Sequence, residues 1–262
     1  MKYFLILILL SFVSNTFCAS LIVTNGGEGL LVRILNEDKS IWIDTGSLNK
    51  IRSNLDKIKK NKEPYPSDIF LTHLHPDHAS DIFELIEKNP DINIYDNCMP
   101  NINVKDGEIV RWTNDLLLAH EKRTCINNQS KIFFDDVKIE VLWPTGNFKS
   151  KNHNLYSLVL KISKNSKSVL IMGDAPKEAE KWLIKNKLSS LENINVLIVG
   201  HHGSDSASSE DFLEIVSPDI AVVSVEKQNV RGYPSKKTIK NLMHNINEVW
   251  ITGWDGDFYY DL

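Results

Sequence analysis

The chain has little cysteine and no surplus of positive charge. Three cysteines in 262 residues, none with a second cysteine or a histidine at ligand spacing, exclude a cysteine-built metal cluster. A net charge of -4 gives no overall basic field, so stable nucleic-acid binding is not expected from charge; such a substrate would have to meet a local patch. No linker, heptad array or low-complexity tract divides the chain, which argues against two independent domains. The one long apolar stretch, Tyr3 to Leu10, is too short for a comfortable membrane span.

What is there is a 42% hydrophobic content, enough to build the core of one large α/β domain. The first residues, Met1-Lys2 followed by the apolar stretch and then small and polar residues to Ala19, read as a secretory signal peptide over 1–19, with the domain at 20–262. A retained anchor and a lipoprotein acylated at Cys18 are the rival readings. The expected location is secreted or periplasmic, with no transmembrane segment after cleavage. Cys98 and Cys125 would then face an oxidising compartment, either joined as a disulfide or as two separate thiols.

Short β-branched runs at 21–23, 30–35, 41–43, 69–71, 139–142, 158–162, 169–172, 196–199, 220–225 and 249–252 predict strands. Amphipathic stretches at 177–186, 208–216 and 235–245 predict helices. Ala79, Ile82, Phe83 and Ile86 share helical spacing and predict one continuous helix that stops before Pro90. Lys57 to Lys62 suits the C-terminal end of a further helix.

Polar chemistry sits where predicted strands end. Asp44-Thr45-Gly46 follows one strand and His73-Leu74-His75-Pro76-Asp77-His78 another. Gly173-Asp174 and Gly200-His201-His202-Gly203-Ser204 follow two more. Ligands gathered at strand ends are held by a rigid scaffold and left open to substrate. Neutral imidazoles with carboxylates suit zinc or manganese. A metal-bound water with its pKa lowered to near 7 supplies hydroxide at neutral pH, and two ions about 3.5–4 Å apart can hold attacking and leaving oxygens.

These motifs resemble the metallo-β-lactamase superfamily, whose H-x-H-x-D-H signature is matched by His73, His75, Asp77 and His78. Within it the chain is most similar to the hydrolase domain of ComEC-type DNA-uptake proteins, on Asn154 to Leu160, Met172-Gly173-Asp174, Val199 to Ser204 and the turn from Asn229 to Pro234. The resemblance implies an α/β fold, a four-layer αββα sandwich, holding one or two ions of Zn2+ or Mn2+ per chain. The implied metal ligands are His73, His75, Asp77, His78, Asp174 and His202, with Asp174 bridging. Asp77 and His201 are the implied catalytic residues, His201 acting as an acid or orienting group, and Asn154 and Ser204 the substrate contacts.

Two departures bear on this. Asn154 stands where many relatives carry a histidine ligand, which weakens the first metal site; His153 beside it either rescues that site or is an exposed loop residue. Tyr233 stands where ComEC-like chains commonly have histidine before proline. If His201 and His202 lie on a strand they point to opposite sides, so that one ligates and the other does not. The expected function is a secreted metal-dependent hydrolase, a phosphodiesterase or nuclease acting on a small phosphodiester or nucleic acid. The alternatives are a lactone, β-lactam or thioester hydrolase, and a metal-binding pseudoenzyme acting as an envelope interaction module.

Overall fold

The computed structural model describes residues 19–36, 38–47, 50–98, 107–146 and 149–262. The expected signal peptide, apart from Ala19, lies outside them, as does Cys18.

Fourteen described strands form two seven-stranded sheets. The first sheet is built from β1 (Ser20–Val23), β2 (Val32–Asn36), β3 (Lys39–Ile43), β4 (Pro66–Phe70), β5 (Asn93–Asp96), β6 (Arg123–Cys125) and the C-terminal β14 (Phe258–Asp261), in the order 14-1-2-3-4-5-6. The second contains β7 (Lys131–Phe134), β8 (Val137–Trp143), β9 (Val159–Lys164), β10 (Lys167–Ile171), β11 (Val196–Ile198), β12 (Ile220–Val223) and β13 (Glu248–Ile251), in the order 13-12-11-10-9-8-7. Strands β3 to β6 are mutually parallel, as are β10 to β13.

The helices follow as α1 (Ile51–Asn61), α2 (Pro76–Ala79), α3 (Ile82–Lys88), α4 (Glu108–Ala119), α5 (Lys177–Asn186), α6 (Glu210–Val216), α7 (Lys236–Asn245) and α8 (Thr252–Asp255). Alternation along the strands sorts the apolar residues into three layers of packing. Ile41, Ile43, Val169 and Ile171 meet between the sheets. Trp42 and Ile69 face Ile58 of α1, Leu85 of α3 and Leu117 of α4. Leu170 and Leu197 face Leu183 of α5, Phe212 of α6 and Leu242 of α7. This is the four-layer αββα sandwich.

Two local expectations are corrected. The helix predicted across Ala79 to Ile86 is two helices, because the carbonyls that would bridge them are turned to other partners. The Asp77 carbonyl accepts from Leu30 N, the His78 carbonyl accepts from Thr45 N and Oγ1, and the Asp81 N–H is given to Thr45 Oγ1. Phe83 therefore leaves the apolar face and is exposed. His201 and His202 are not on a strand: both adopt the left-handed conformation, with φ 51° and 53°, in a tight turn after β11. Cys98 and Cys125 form a disulfide between the loop after β5 and the end of β6.

Candidate metal centre

The site lies at the C-terminal ends of parallel strands of both sheets. Asp44 follows β3, the histidine cluster follows β4, Asp174 follows β10 and the His201-His202 turn follows β11. In a parallel sheet those ends share one edge, and here the two edges meet.

Asp174 occupies the middle. Its Oδ1 lies 3.1 Å from His78 Nε2 and 3.5 Å from His202 Nε2, while Oδ2 lies 3.7 Å from His73 Nε2 and 3.5 Å from His201 Nε2. The donors form two compact groups, His73-His75-Asp174 and Asp77-His78-His202. His73 Nε2 and His75 Nδ1 are 3.0 Å apart, and His202 Nε2 is 3.7 Å from Asp77 Oδ2. Thus His201 and His202 do reach different oxygens of Asp174, but through consecutive left-handed residues rather than strand alternation.

Gly173 sets the position of Asp174. Its φ is 51°, and a Cβ built on it would lie 2.4 Å from Ser157 Oγ, so glycine alone fits without displacement. Ser157 Oγ instead accepts from Asp174 N at 2.7 Å.

Outer hydrogen bonds fix the tautomers. His78 Nδ1 is 2.6 Å from Asp44 Oδ2, and the same carboxylate accepts from Thr72 N and Thr72 Oγ1 at 2.7 Å. His202 Nδ1 is 2.8 Å from the Ser224 carbonyl. A carboxylate and a carbonyl only accept here, so each Nδ1 donates and each Nε2 turns its lone pair inward. Those two Nε2 atoms are 3.1 Å apart. With Asp174 Oδ1, which is buried and makes no hydrogen bond, they form a nest of acceptors that needs positive charge among them.

The titration tendencies agree for every ring except His78, which keeps a proton on Nε2 towards Asp174 until an ion displaces it. Burial opposes protonation of His78, yet Asp174 and Asp44 outweigh it and hold the imidazole well above its ordinary pKa. Burial, helped by His78, holds His73 well below, and burial lowers His75 and His202. Burial would raise Asp174, but the neighbouring His78 and His202 keep it ionised well below the ordinary carboxylate range; Asp77 is lowered in the same way. A proton on His78 relieves one acceptor. A divalent cation in each group would engage several at once, and neutral imidazoles with ionised carboxylates are the forms it requires. The residues present fit such ions.

Asn154 sits beside His201, with Nδ2 3.4 Å from His201 Nε2, and its buried Oδ1 makes no hydrogen bond. His153 lies at the rim, its ring 5.8 Å from that of His75. Ser204 is buried and its hydroxyl is engaged with Ser206, 3.0 Å away; Ser206, not Ser204, reaches His201 Nδ1 at 2.8 Å. Ser204 thus also ties the turn together. Tyr233 packs edge-on against His201 with ring centres 5.7 Å apart.

Sequence reasoning missed Arg231, whose Nη1 lies 2.5 Å from Asp77 Oδ2. The only signal was its place in the Asn229 to Pro234 turn. A cleft of about 590 Å³ opens beside this pair, lined also by Glu28, Lys50 and Glu226. His120, by contrast, bonds the Ile92 carbonyl at 2.7 Å and His244 is exposed.

Comparison with known proteins follows this geometry. Residues 27–96 match the family model of the metallo-beta-lactamase superfamily. Recombination protein 2 of Haemophilus influenzae is 26% identical over 234 residues, 88% of this chain and 27% of its own length. Competence protein ComA of Neisseria gonorrhoeae is 26% identical over 219 residues, 83% of this chain and 28% of its own length. The chain therefore spans about a quarter of the length of these curated relatives. Among solved structures, the metallo-beta-lactamase fold protein YhfI from Bacillus subtilis superposes with a TM-score of 0.61 at 14% identity, covering 93% of this chain and 100% of that one. A diphosphatase from the PhnP family gives 0.56 at 12% identity, covering 93% and 98%. The chain thus matches the metallo-beta-lactamase superfamily model over residues 27–96, shares the fold of these solved structures, and is similar, over most of its length, to competence proteins of the ComEC type.

Proposed function

We propose that the protein is an exported, metal-dependent phosphodiesterase acting on a small phosphodiester. The observation that carries this reading is the division of Asp174 between two donor groups, one oxygen to each. When bound, a divalent ion there supplies Lewis acidity and a water acidic enough to ionise at neutral pH.

The chain's own residues do the rest. Asp44 and Ser224 hold His78 and His202 in the tautomers that leave Nε2 free. Asp77 is ionised and placed at the boundary between the donor groups and the cleft, where it can orient a nucleophile and accept its proton. His201, held by Ser206 and 3.5 Å from Asp174, can serve as acid for a leaving oxygen. Relatives named for recombination and competence, and a fold neighbour named as a diphosphatase, support phosphorus chemistry. The disulfide supports an oxidising compartment.

A second reading, metal binding without turnover, rests on Asn154, which stands beside His201 in place of a histidine ligand. Protein spanning residues 20–262, loaded with zinc or manganese, is expected to cleave bis-p-nitrophenyl phosphate and short single-stranded DNA. Turnover of an ester or lactone with neither phosphodiester cleaved would overturn the assignment. Stoichiometric metal with no turnover of any substrate would favour the second reading.

A further inference from the structure

We infer that Arg231 is the residue that recognises the negative charge of the substrate, selecting a single phosphodiester over neutral esters; this rests on the hydrolase reading above and names its substrate class more narrowly.

The turn that carries Arg231 is built to hold it still. Asn229 Nδ2 donates to the carbonyls of Glu226 and Tyr233 at 2.9 and 2.7 Å, and Asn229 Oδ1 accepts from Tyr233 N at 2.9 Å. Val230 N donates to Glu28 Oε1 at 3.2 Å. The ring of Tyr233 rests against His201, so the turn is registered on the donor groups themselves. From this base Arg231 extends over the mouth of the cleft.

The Arg231 side chain is 40% exposed against 9% for its partner Asp77, so the guanidinium keeps one side open to solvent. Among the described residues its hydrogen bonding uses Nη1 alone, to Asp77 Oδ2. Arg231 also lines the cleft, and a planar fork of N–H donors matches two phosphate oxygens.

Charge accounting at the cleft sets the size of the anion. Lys50, the other cation of the lining, lies 3.3 Å from Glu226 and is neutralised by it. Asp77, once shared with a divalent ion, has less negative charge to offer Arg231. Arg231 then faces the cleft beside the Glu28 carboxylate, and one cation so placed matches a single phosphate.

The experiment compares wild type, Arg231→Lys and Arg231→Met at saturating manganese, with metal content measured in each. Substrates are bis-p-nitrophenyl phosphate, an anion, and diethyl p-nitrophenyl phosphate, a neutral triester with the same leaving group. Binding of inorganic phosphate to the manganese-loaded proteins is measured by calorimetry. Arg231→Met should lose roughly 10- to 100-fold in kcat/KM on the diester, mostly through KM, and far less on the triester. Phosphate affinity should fall roughly 10-fold, with Arg231→Lys intermediate in both assays. Equal losses on the two esters, or unchanged phosphate affinity, would overturn the role of Arg231. If wild type cleaves neither ester, the phosphodiesterase reading fails on its own, and the phosphate arm still decides whether Arg231 binds the anion.

Discussion

Nε2 of His78 and Nε2 of His202 lie 3.1 Å apart, although the Nδ1 of each ring is already given to Asp44 or to Ser224. Two inward Nε2 atoms and the buried carboxylate of Asp174, with only the proton of His78 among them, leave the folded metal-free protein electrostatically incomplete. Divalent metal should therefore raise thermal stability. At about 100 times its Kd an ion that binds only the native state adds about 2.7 kcal/mol. Scanning fluorimetry with and without chelator checks this; Asp174→Asn should abolish the increment, and an unchanged Tm in wild type speaks against a built site.

Asp44 accepts from His78 Nδ1 and from Thr72, whose Oγ1 is 3.2 Å from His73 Nδ1, so its effect on metal passes through the rings it orients. Asp44→Asn keeps the shape but no longer fixes the Nδ1–H tautomer. Metal affinity, read by competition with a chromophoric chelator, should fall roughly 10- to 100-fold with metal still bindable. An unchanged affinity contradicts the orienting role.

Gly173 is the second backbone test. Alanine there meets Ser157 Oγ and Thr72 in a left-handed conformation, and the loop bearing Asp174 has to move. Gly173→Ala should cost at least about 1 kcal/mol in chemical denaturation and lower the number of ions bound per chain. Wild-type stability with full metal content would show that the loop relaxes freely.

Asp81 contributes its own pH dependence to the stability of the fold. Burial, with Glu84 nearby, pushes its carboxyl up to about 8, and both of its oxygens are buried without hydrogen bonds. The folded state thus keeps a proton that the unfolded chain releases near 4. This contribution is fully present below the unfolded value and is lost as pH rises towards about 8. Wild type should lose stability across that window relative to Asp81→Asn, most visibly between pH 6 and 8, by equilibrium denaturation at a series of pH values. Parallel curves for the two proteins would contradict a protonated Asp81.

Much of this was legible because apolar runs end abruptly in ligand residues. Ile41 to Asp44, Ile69 to His73 and Val169 to Asp174 each show a buried strand giving way to polar groups, and the composition of His73 to His78 leaves little but metal to explain it. Strands such as Asn93–Asp96 and Arg123–Cys125 were not legible, being short and half polar at one side of their sheet. Helix α4 was likewise missed, since Ile109, Trp112 and Leu118 are exposed on it and blur its periodicity. The break after Ala79 depends on Leu30 and Thr45, which lie 33 to 47 positions in sequence from the residues they engage, and no local pattern reports them. Arg231 was invisible for the same reason: its partner Asp77 lies 154 residues earlier.

The most direct test titrates manganese or zinc into chelator-stripped protein while recording, in the same samples, metal per chain and the rate of bis-p-nitrophenyl phosphate hydrolysis. The site described here predicts no turnover in the stripped protein, a rate that rises with occupancy, and no turnover in a folded Asp77→Ala, His78→Ala double variant. Hydrolysis by the fully stripped protein, or by the double variant at the wild-type rate, would contradict it.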